Sequence, residues 1–172
     1  MAAIFSAVCA CCGKRFEGSP SYAFDEPFHY LCLSPEEQQT RCELNSDFCI
    51  IRHDGQTDYF IRVCLELPIN NLQEPFLWGV WVSISEKNFN YYAETCDTPD
   101  EADSYFGWLC NEIPGYSGTT KLKVLSHPRR NKQRPWIEIE PSDHPLCHDW
   151  KCGISEEQAR VMILKLMHRN ET

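Results

Sequence analysis

The chain has 172 residues and a formal net charge of −9, with 42% hydrophobic and 12% aromatic residues. This length suits one compact domain, and the composition argues against a disordered chain. The negative charge is unfavourable for general nucleic-acid binding, because contacts to phosphates supply most of that affinity. We therefore expect no nucleic-acid partner, and a basic protein is the partner that the charge favours.

The sequence shows neither a signal peptide nor a membrane-spanning stretch, and these features bear on where the protein is located. The sequence MAAIFSAV has neither the positive start nor the long apolar run of a signal peptide. No apolar stretch approaches the roughly 18 residues that cross a membrane, so we expect a cytoplasmic protein without a membrane partner. Disulfides are rare in that reducing compartment. The eleven cysteines are therefore expected to be metal ligands, nucleophiles or buried thiols.

The cysteine-rich beginning of the chain differs from the part that follows. Residues 1–33 are rich in Cys, Gly, Pro and aromatic residues and lack clear periodicity, which predicts a loop-rich knuckle. Residues 34–172 carry periodic segments and predict an α+β domain. We expect the knuckle to pack on this domain, so that the chain is effectively one domain.

The first predicted helix and hairpin have clear local signals. The helix begins at Ser34, with Pro35 at the first helical position and Glu37 completing a capping box. Two β-rich runs then flank Asp54-Gly55, a pair typical of hairpin turns. In the second run, apolar residues alternate from Tyr59 to Leu67, which predicts a strand with one buried face.

The remaining elements complete an α+β pattern. A strand is predicted from Phe76 to Ser85, and Ser85 begins a helix. The irregular, aromatic residues 97–118 predict a long structured loop, and two strands follow in TTKLKVLSH and RPWIEIE. Ser155 begins the last helix, which has an apolar stripe. The elements predict a mostly antiparallel sheet of about five strands, three helices and an N-terminal cysteine knuckle.

A metal site is the chemistry that the cysteine spacing favours. Cys9 and Cys12 form a C-x2-C pair followed by a glycine, and this spacing lets two thiolates reach one zinc ion. His29 and Cys32 have the same spacing, so the four residues resemble a zinc ribbon, C-x2-C-x16-H-x2-C. We predict that these four hold structural zinc. The alternatives are that Cys11, Cys32 and other cysteines are buried thiols, or that the C-x2-C pair is redox-active.

Other candidate residues are less specific. The sequence has no G-x-S-x-G nucleophile motif and no phosphate-binding glycine loop, and we predict no catalytic residue. Trp108 and Tyr116 are binding candidates in the aromatic loop, and Asp143 and His144 are two more. Burial in the core is the alternative for Trp108, as it is for the tryptophans of the predicted strands.

Several stretches, in order along the chain, resemble one bacterial family, domain of unknown function family 2199. They are CACCG, SDFCII, CLELPI, FLWGVWVSISEKNF, YFGWL, RPWIEIEPSDHPL and the GIS before the last helix. The resemblance runs from about Cys9 to Met167. It implies a bacterial cytosolic protein and no established activity.

The resemblance also bears on the candidate site. It supports Cys9 and Cys12 as the family's paired cysteines, and it marks His144 and Cys49, the latter as an alternative zinc ligand. Members of the family carry a histidine shortly after the C-x-x-C-G start, where this chain has Phe16. They also lack the pair that His29 and Cys32 form in this chain. The resemblance therefore implies either that His29 and Cys32 replace the missing histidine as ligands or that the metal site has been lost in this chain.

These observations favour a small, acidic, non-enzymatic protein-binding module with a zinc-stabilised knuckle. A concrete form is an immunity-type protein that neutralises a basic toxin, contacted by the acidic segment from Glu94 to Glu112. The alternative is a metal- or cysteine-dependent enzyme of unknown substrate, with Asp143, His144 and Trp108 around a pocket. That alternative requires an open zinc position or a reactive thiol.

Overall fold

The computed structural model describes residues 5–169. The first four residues of MAAIFSAV, the stretch that lacks the features of a signal peptide, lie outside the described residues. The described residues contain ten strands and five α-helices. The strands are β1 (Ser6–Val8), β2 (Arg15–Glu17), β3 (Ser21–Ala23), β4 (Cys42–Leu44), β5 (Phe48–His53), β6 (Gln56–Leu67), β7 (Phe76–Ile84), β8 (Tyr105–Leu109), β9 (Lys123–His127) and β10 (Trp136–Ile139). The helices are α1 (Phe28–Leu31), α2 (Pro35–Arg41), α3 (Glu86–Thr95), α4 (Pro145–Cys152) and α5 (Glu156–Arg169), with a 3-10 turn at Thr119–Lys121.

The predicted α+β class is confirmed, but the predicted numbers of strands and helices are too low. Most of the missed elements are very short, because β1 to β4 have three residues each and the helix α1 has four. Elements this short contain too few residues for a period of two or of 3.6 to be recognised. The helix α4, with eight residues, was missed as well. None of the helices among residues 5–169 is long and apolar enough to cross a membrane.

The residues group into two compact units by their internal contacts. The first is formed by the described residues of Met1–Ala23, Glu66–Trp78 and Pro141–Thr172. The second is formed by Phe24–Leu65 and Gly79–Glu140. The strands β6 and β7 are each divided between the two units. This grouping does not test the predicted knuckle of residues 1–33 and domain of residues 34–172, which stay predictions.

The predicted helix starts are confirmed by their hydrogen bonds. At α2, the Glu37 amide donates to Ser34 Oγ at 3.2 Å, and the Ser34 amide donates to Glu37 Oε2 at 3.0 Å. The same reciprocal pair joins Ser155 and Gln158 before α5, at 2.8 and 3.1 Å. Ser85 accepts from the Asn88 amide at the start of α3. These side chains satisfy amides that a helix N-terminus otherwise leaves without partners.

The second unit is built around a closed barrel. The strands pair in the order β7-β8-β9-β10-β6, and β6 pairs back to β7. The predicted hairpin is confirmed, because β5 and β6 are antiparallel with His53 opposite Gln56 and Asp54-Gly55 between them. One pairing is parallel, between Trp136 of β10 and Cys64 of β6.

The prediction of a loop over residues 97–118 is wrong for Tyr105–Leu109, which form β8. Tyr105, Gly107 and Leu109 are buried, whereas Phe106 and Trp108 are 44% and 41% exposed. The strand has aromatic residues on both faces and a glycine on the buried one. Hydrophobicity therefore does not alternate along it, although burial does.

Tryptophans and one amide organise the core of the second unit. Trp81 is fully buried, and its Nε1 donates to the Phe24 carbonyl at 3.1 Å. The buried Asn111 accepts from the Trp81 amide at 2.7 Å and donates to the Glu26 carbonyl at 2.9 Å. The predicted burial of Trp78, which lies in the first unit, and of Trp81 is confirmed. The side chain of Asn111 thus joins the segment after β8 to β7 and to the chain before α1.

The first unit contains the two ends of the described chain. β1 and β2 form an antiparallel hairpin, and the buried side of α5 carries Ala159, Ile163 and Leu166. α5 packs against β1, where Arg160 Nε donates to the Ser6 carbonyl at 3.2 Å. This contact places the last turn of α5 beside the turn of the first hairpin.

Candidate metal centre

Three cysteines lie in the turn that joins β1 to β2. The Cys9 amide donates to the Lys14 carbonyl at 2.8 Å, and the Gly13 amide donates to the Cys9 carbonyl at 2.9 Å. Gly13 has a φ of 71°, a conformation that a residue without Cβ adopts at little cost. Cys9 is buried, whereas Cys11 and Cys12 are exposed. The turn thus gathers three sulfurs within four residues.

The fourth side chain of the cluster is His168, in the last turn of α5. The strand rises about 10 Å from Ser6 to the start of the turn at Cys9. The helix rises about 12 Å from Arg160 to His168. The strand β1 and the helix α5 are in contact at Ser6 and Arg160, and from there they extend by similar distances. The imidazole of His168 therefore lies beside the thiols of the turn.

The four ligand atoms lie at distances that suit one ion. Nε2 of His168 is 3.1 Å from Cys9 Sγ, 3.4 Å from Cys11 Sγ and 3.8 Å from Cys12 Sγ. The Cys9 and Cys11 sulfurs are 2.9 Å apart, and all four ligand atoms lie within 4.8 Å of one another. Bond lengths of about 2.3 Å for Zn–S and 2.0 Å for Zn–N place tetrahedral donors roughly 3.5 to 3.8 Å apart. The cluster therefore fits a metal ion after small side-chain adjustments.

Hydrogen bonding prepares one thiol for a cation. The pKa of Cys9 is lowered to about 6, chiefly by the hydrogen bond with the Cys11 thiol, then by His168 and by the amides of Cys11 and Cys12. The pKa of Cys11 is raised to about 11, chiefly because it shares its hydrogen with Cys9. These hydrogen bonds favour the thiolate form of Cys9, and a metal that binds there displaces the remaining thiol protons.

The structure brings the predicted pair Cys9 and Cys12 together, within the first unit. His29 lies on α1 with its ring centroid 5.4 Å from that of Phe60, and Cys32 follows this helix. Both belong to the second unit. The predicted zinc set that combines the two pairs therefore stays a prediction.

The alternative that Cys11 and Cys32 are buried thiols is wrong, because both are exposed. Cys49, the other proposed ligand, lies on β5 in the core of the second unit. Burial raises its pKa to about 12, so it is a protonated thiol at neutral pH. Its role as a ligand stays a prediction.

The other binding candidates occupy contrasting positions. In the second unit, Trp108 is 41% exposed on β8, whereas Tyr116 is buried after it. In the first unit, Asp143 is exposed and His144 begins α4, where its Nδ1 accepts from the Leu146 amide at 3.1 Å. Binding roles for all four stay predictions.

Sequence reasoning missed Cys11 and His168. Cys11 sits inside the C-x2-C spacing, and its adjacency to Cys12 made it an apparent surplus thiol. His168 lies 156 residues after Cys12, so no spacing pattern connects them. The one available signal was the position of Phe16. The family resemblance implies a histidine near that position, so its absence could have prompted a search for a ligand elsewhere in the chain.

The fold and the cluster define a small α+β protein with a Cys3His group that can hold a metal ion. Residues 8–154 match DUF2199, described as an uncharacterized protein conserved in bacteria. The chain therefore belongs to this family, as the resemblance implied. No curated protein and no solved structure matches the chain. The matched residues include the three cysteines, whereas His168 lies beyond them.

Proposed function

We propose that this protein is a zinc-stabilised, non-enzymatic binding module of the bacterial cytoplasm. The convergence of Cys9, Cys11, Cys12 and His168 carries the metal part of this proposal. Thiolates are soft ligands that favour zinc over magnesium or calcium. Three cysteines and one histidine fill a tetrahedral zinc site, and such closed sites are structural, whereas catalytic sites keep an open position. The metal would fasten the first hairpin to α5.

The partner that we propose is a basic protein, and a toxin neutralised by an immunity-type complex is the concrete case. The net charge of −9 supports this chemistry by steering a basic partner towards the surface. Part of the charge in residues 94–112 is compensated locally, because Glu101 pairs with Arg130 at 3.3 Å and Asp97 with Lys132 at 3.8 Å. Of the remaining carboxylates in this segment, Glu94 and Asp100 are exposed and available to the partner. Asp103 is partly buried, and Glu112 accepts a hydrogen bond from Thr119. Capture of the partner from a producing cell should weaken as ionic strength rises.

Zinc content and thiol protection test the metal directly. Protein purified without chelators should contain about one zinc per chain by elemental mass spectrometry, as a closed site requires. Cys9, Cys11 and Cys12 should then resist iodoacetamide, because bound thiolates are poor nucleophiles. Cys32 and Cys152 are exposed cysteines outside the cluster and alkylate in the same sample, so they are matched controls for the exposed Cys11 and Cys12. For the buried Cys9, the matched comparison is the same protein after zinc is removed with a chelator. Peptide mass spectrometry reports each site.

The alternative function, a cysteine-dependent enzyme, is supported by the hydrogen bonds around Cys9. The pKa of Cys9 is lowered by the hydrogen bond with Cys11 and the other groups of the cluster, as expected of a reactive thiol. The same labelling experiment distinguishes the two functions. Rapid alkylation of Cys9 in a folded protein that contains no zinc would support the enzyme and contradict the structural zinc site.

A further inference from the structure

A cleft of about 850 Å³ opens on the second unit. One side is the end of the hairpin formed by β5 and β6, and another is the junction between β7 and α3. The third side is β8, with Phe106, Gly107 and Trp108. The metal cluster belongs to the first unit, so the two sites are built from separate sets of residues.

The formal charges that line the cleft are negative. They come from Asp58 and Glu86, and no described lysine or arginine is part of the lining. Tyr59 donates to Glu86 Oε1 at 2.9 Å, and Gln56 donates to Asp58 Oδ1 at 2.7 Å. These uncharged donors orient the carboxylates without neutralising them. The other contact of Asp58 is His53 Nε2 at 3.1 Å, which carries charge only when the imidazole is protonated.

Aromatic faces accompany the carboxylates. Phe106 and Trp108 are 44% and 41% exposed, and their ring centroids lie 6.1 Å apart at 77°. Large aromatic side chains are normally buried or hydrogen-bonded, so two exposed rings beside a cleft indicate a ligand surface. The exposed Lys123 places its Nζ 5.6 Å from the centroid of the Trp108 ring, so the ring can hold a cation, and a ligand cation would have to displace this lysine from it.

Charge and aromaticity together restrict the ligand. An anion would be repelled by the two carboxylates, and an apolar ligand would desolvate them without compensation. An organic cation satisfies both features, because it pairs with a carboxylate and packs on the face of an aromatic ring. Guanidinium is planar and forms bidentate hydrogen bonds with carboxylates, which favours arginine over lysine.

We propose that this cleft binds the guanidinium group of an arginine side chain on a basic polypeptide, with Glu86 and Asp58 as its counter-charges and Trp108 as its aromatic face. This site gives the basic partner proposed above a place to dock, and it rests on that proposal for the nature of the partner. It does not depend on the metal.

The experiment is a calorimetric titration with a short arginine-containing peptide and with the same peptide carrying citrulline. Citrulline replaces guanidinium by a neutral urea of the same shape, so its peptide should bind at least about tenfold more weakly. Glu86→Gln keeps an acceptor for Tyr59 but removes the charge, and it should weaken the arginine peptide by about tenfold or more. Trp108→Leu should weaken it roughly threefold to fivefold.

Asp54→Asn is the matched control for Glu86→Gln. Asp54 is exposed at the hairpin turn, beside but outside the lining, so its variant removes the same charge without touching the cleft. Binding should change by less than about twofold, because exposed charges contribute little at a distance. If Glu86→Gln and Asp54→Asn lost the same amount of peptide affinity, the loss would come from the overall charge and not from the cleft. That result would overturn the proposal.

Three other results would also overturn it. They are equal affinity for the citrulline peptide, no binding at millimolar peptide, and binding of a free polyamine where the peptide does not bind. If a purified basic partner still binds the Glu86→Gln protein with unchanged affinity, the cleft fails while the proposed partner chemistry stands. If the purified protein contains no zinc but binds the arginine peptide more tightly than the citrulline peptide, the metal proposal fails and the proposal for the cleft stands.

Discussion

Removal of bound zinc is expected to lower the free energy of unfolding of the first unit by about 4 kcal/mol. This value applies when the free zinc concentration before removal was about a thousand times the Kd of the site. The ion would join the turn at Cys12 to His168, which are 156 residues apart in the chain. Without it, the junction keeps the packing of α5 on β1 and the hydrogen bond from Arg160 to Ser6. The loss should therefore concentrate in the first hairpin and the last helix.

Hydrogen exchange measured by mass spectrometry locates this loss. After chelation, protection should fall in β1, β2 and the end of α5, and it should persist in the hairpin of β5 and β6. Thermal unfolding gives the size of the effect, and magnesium added in place of zinc is the control, because it prefers oxygen ligands. Unchanged exchange and unfolding after verified loss of zinc would contradict a structural site.

Gly107→Ala is expected to lower the free energy of unfolding of the second unit by about 3 kcal/mol. A Cβ at this position would lie 2.1 Å from the Ser83 carbonyl oxygen and 2.6 Å from Val82 Cγ1. Gly107 pairs with Ile84, so the backbone of β7 runs directly alongside it. The two strands must separate to admit a methyl group, and the pairing that continues the barrel from β7 to β8 weakens.

Urea unfolding followed by tryptophan fluorescence measures this change. The control is Gly118→Ala, also in the second unit. An added Cβ there meets nothing within 4 Å, but the residue has a φ of 78°. Left-handed strain alone costs about 1 to 2 kcal/mol. A Gly107→Ala effect no larger than that of the control would show that β7 and β8 are not in such close contact.

Local chemistry made part of the fold predictable. The starts of α2, α3 and α5 follow from Ser34, Ser85 and Ser155, because a capping side chain needs only residues within three positions. The turn at Asp54-Gly55 is equally local. The closed barrel depends instead on pairings such as Trp136 with Cys64, and no periodicity records which distant strands meet. It was therefore beyond prediction from one sequence.

The candidate site divides in the same way. The spacing of Cys9 and Cys12 predicted their convergence, because it is a property of one turn. The choice of His29 and Cys32 rested on a matching short spacing, which carries no information about distance in space. His168 lies in the last turn of α5, where a histidine is also favourable because of the negative end of the helix dipole. Only the packing of α5 on β1 distinguishes that role from a place beside the cysteines.

The ligand set is tested most directly by the zinc affinities of the paired variants His168→Gln and His29→Gln, measured by competition with a chromogenic chelator. Both substitutions replace an imidazole by an amide, so any difference reports position and not chemistry. The cluster of Cys9, Cys11, Cys12 and His168 predicts that His168→Gln weakens zinc by more than about a hundredfold and that His29→Gln leaves it nearly unchanged. Loss of affinity in His29→Gln, with His168→Gln unaffected, would contradict this cluster and favour the ribbon-like set.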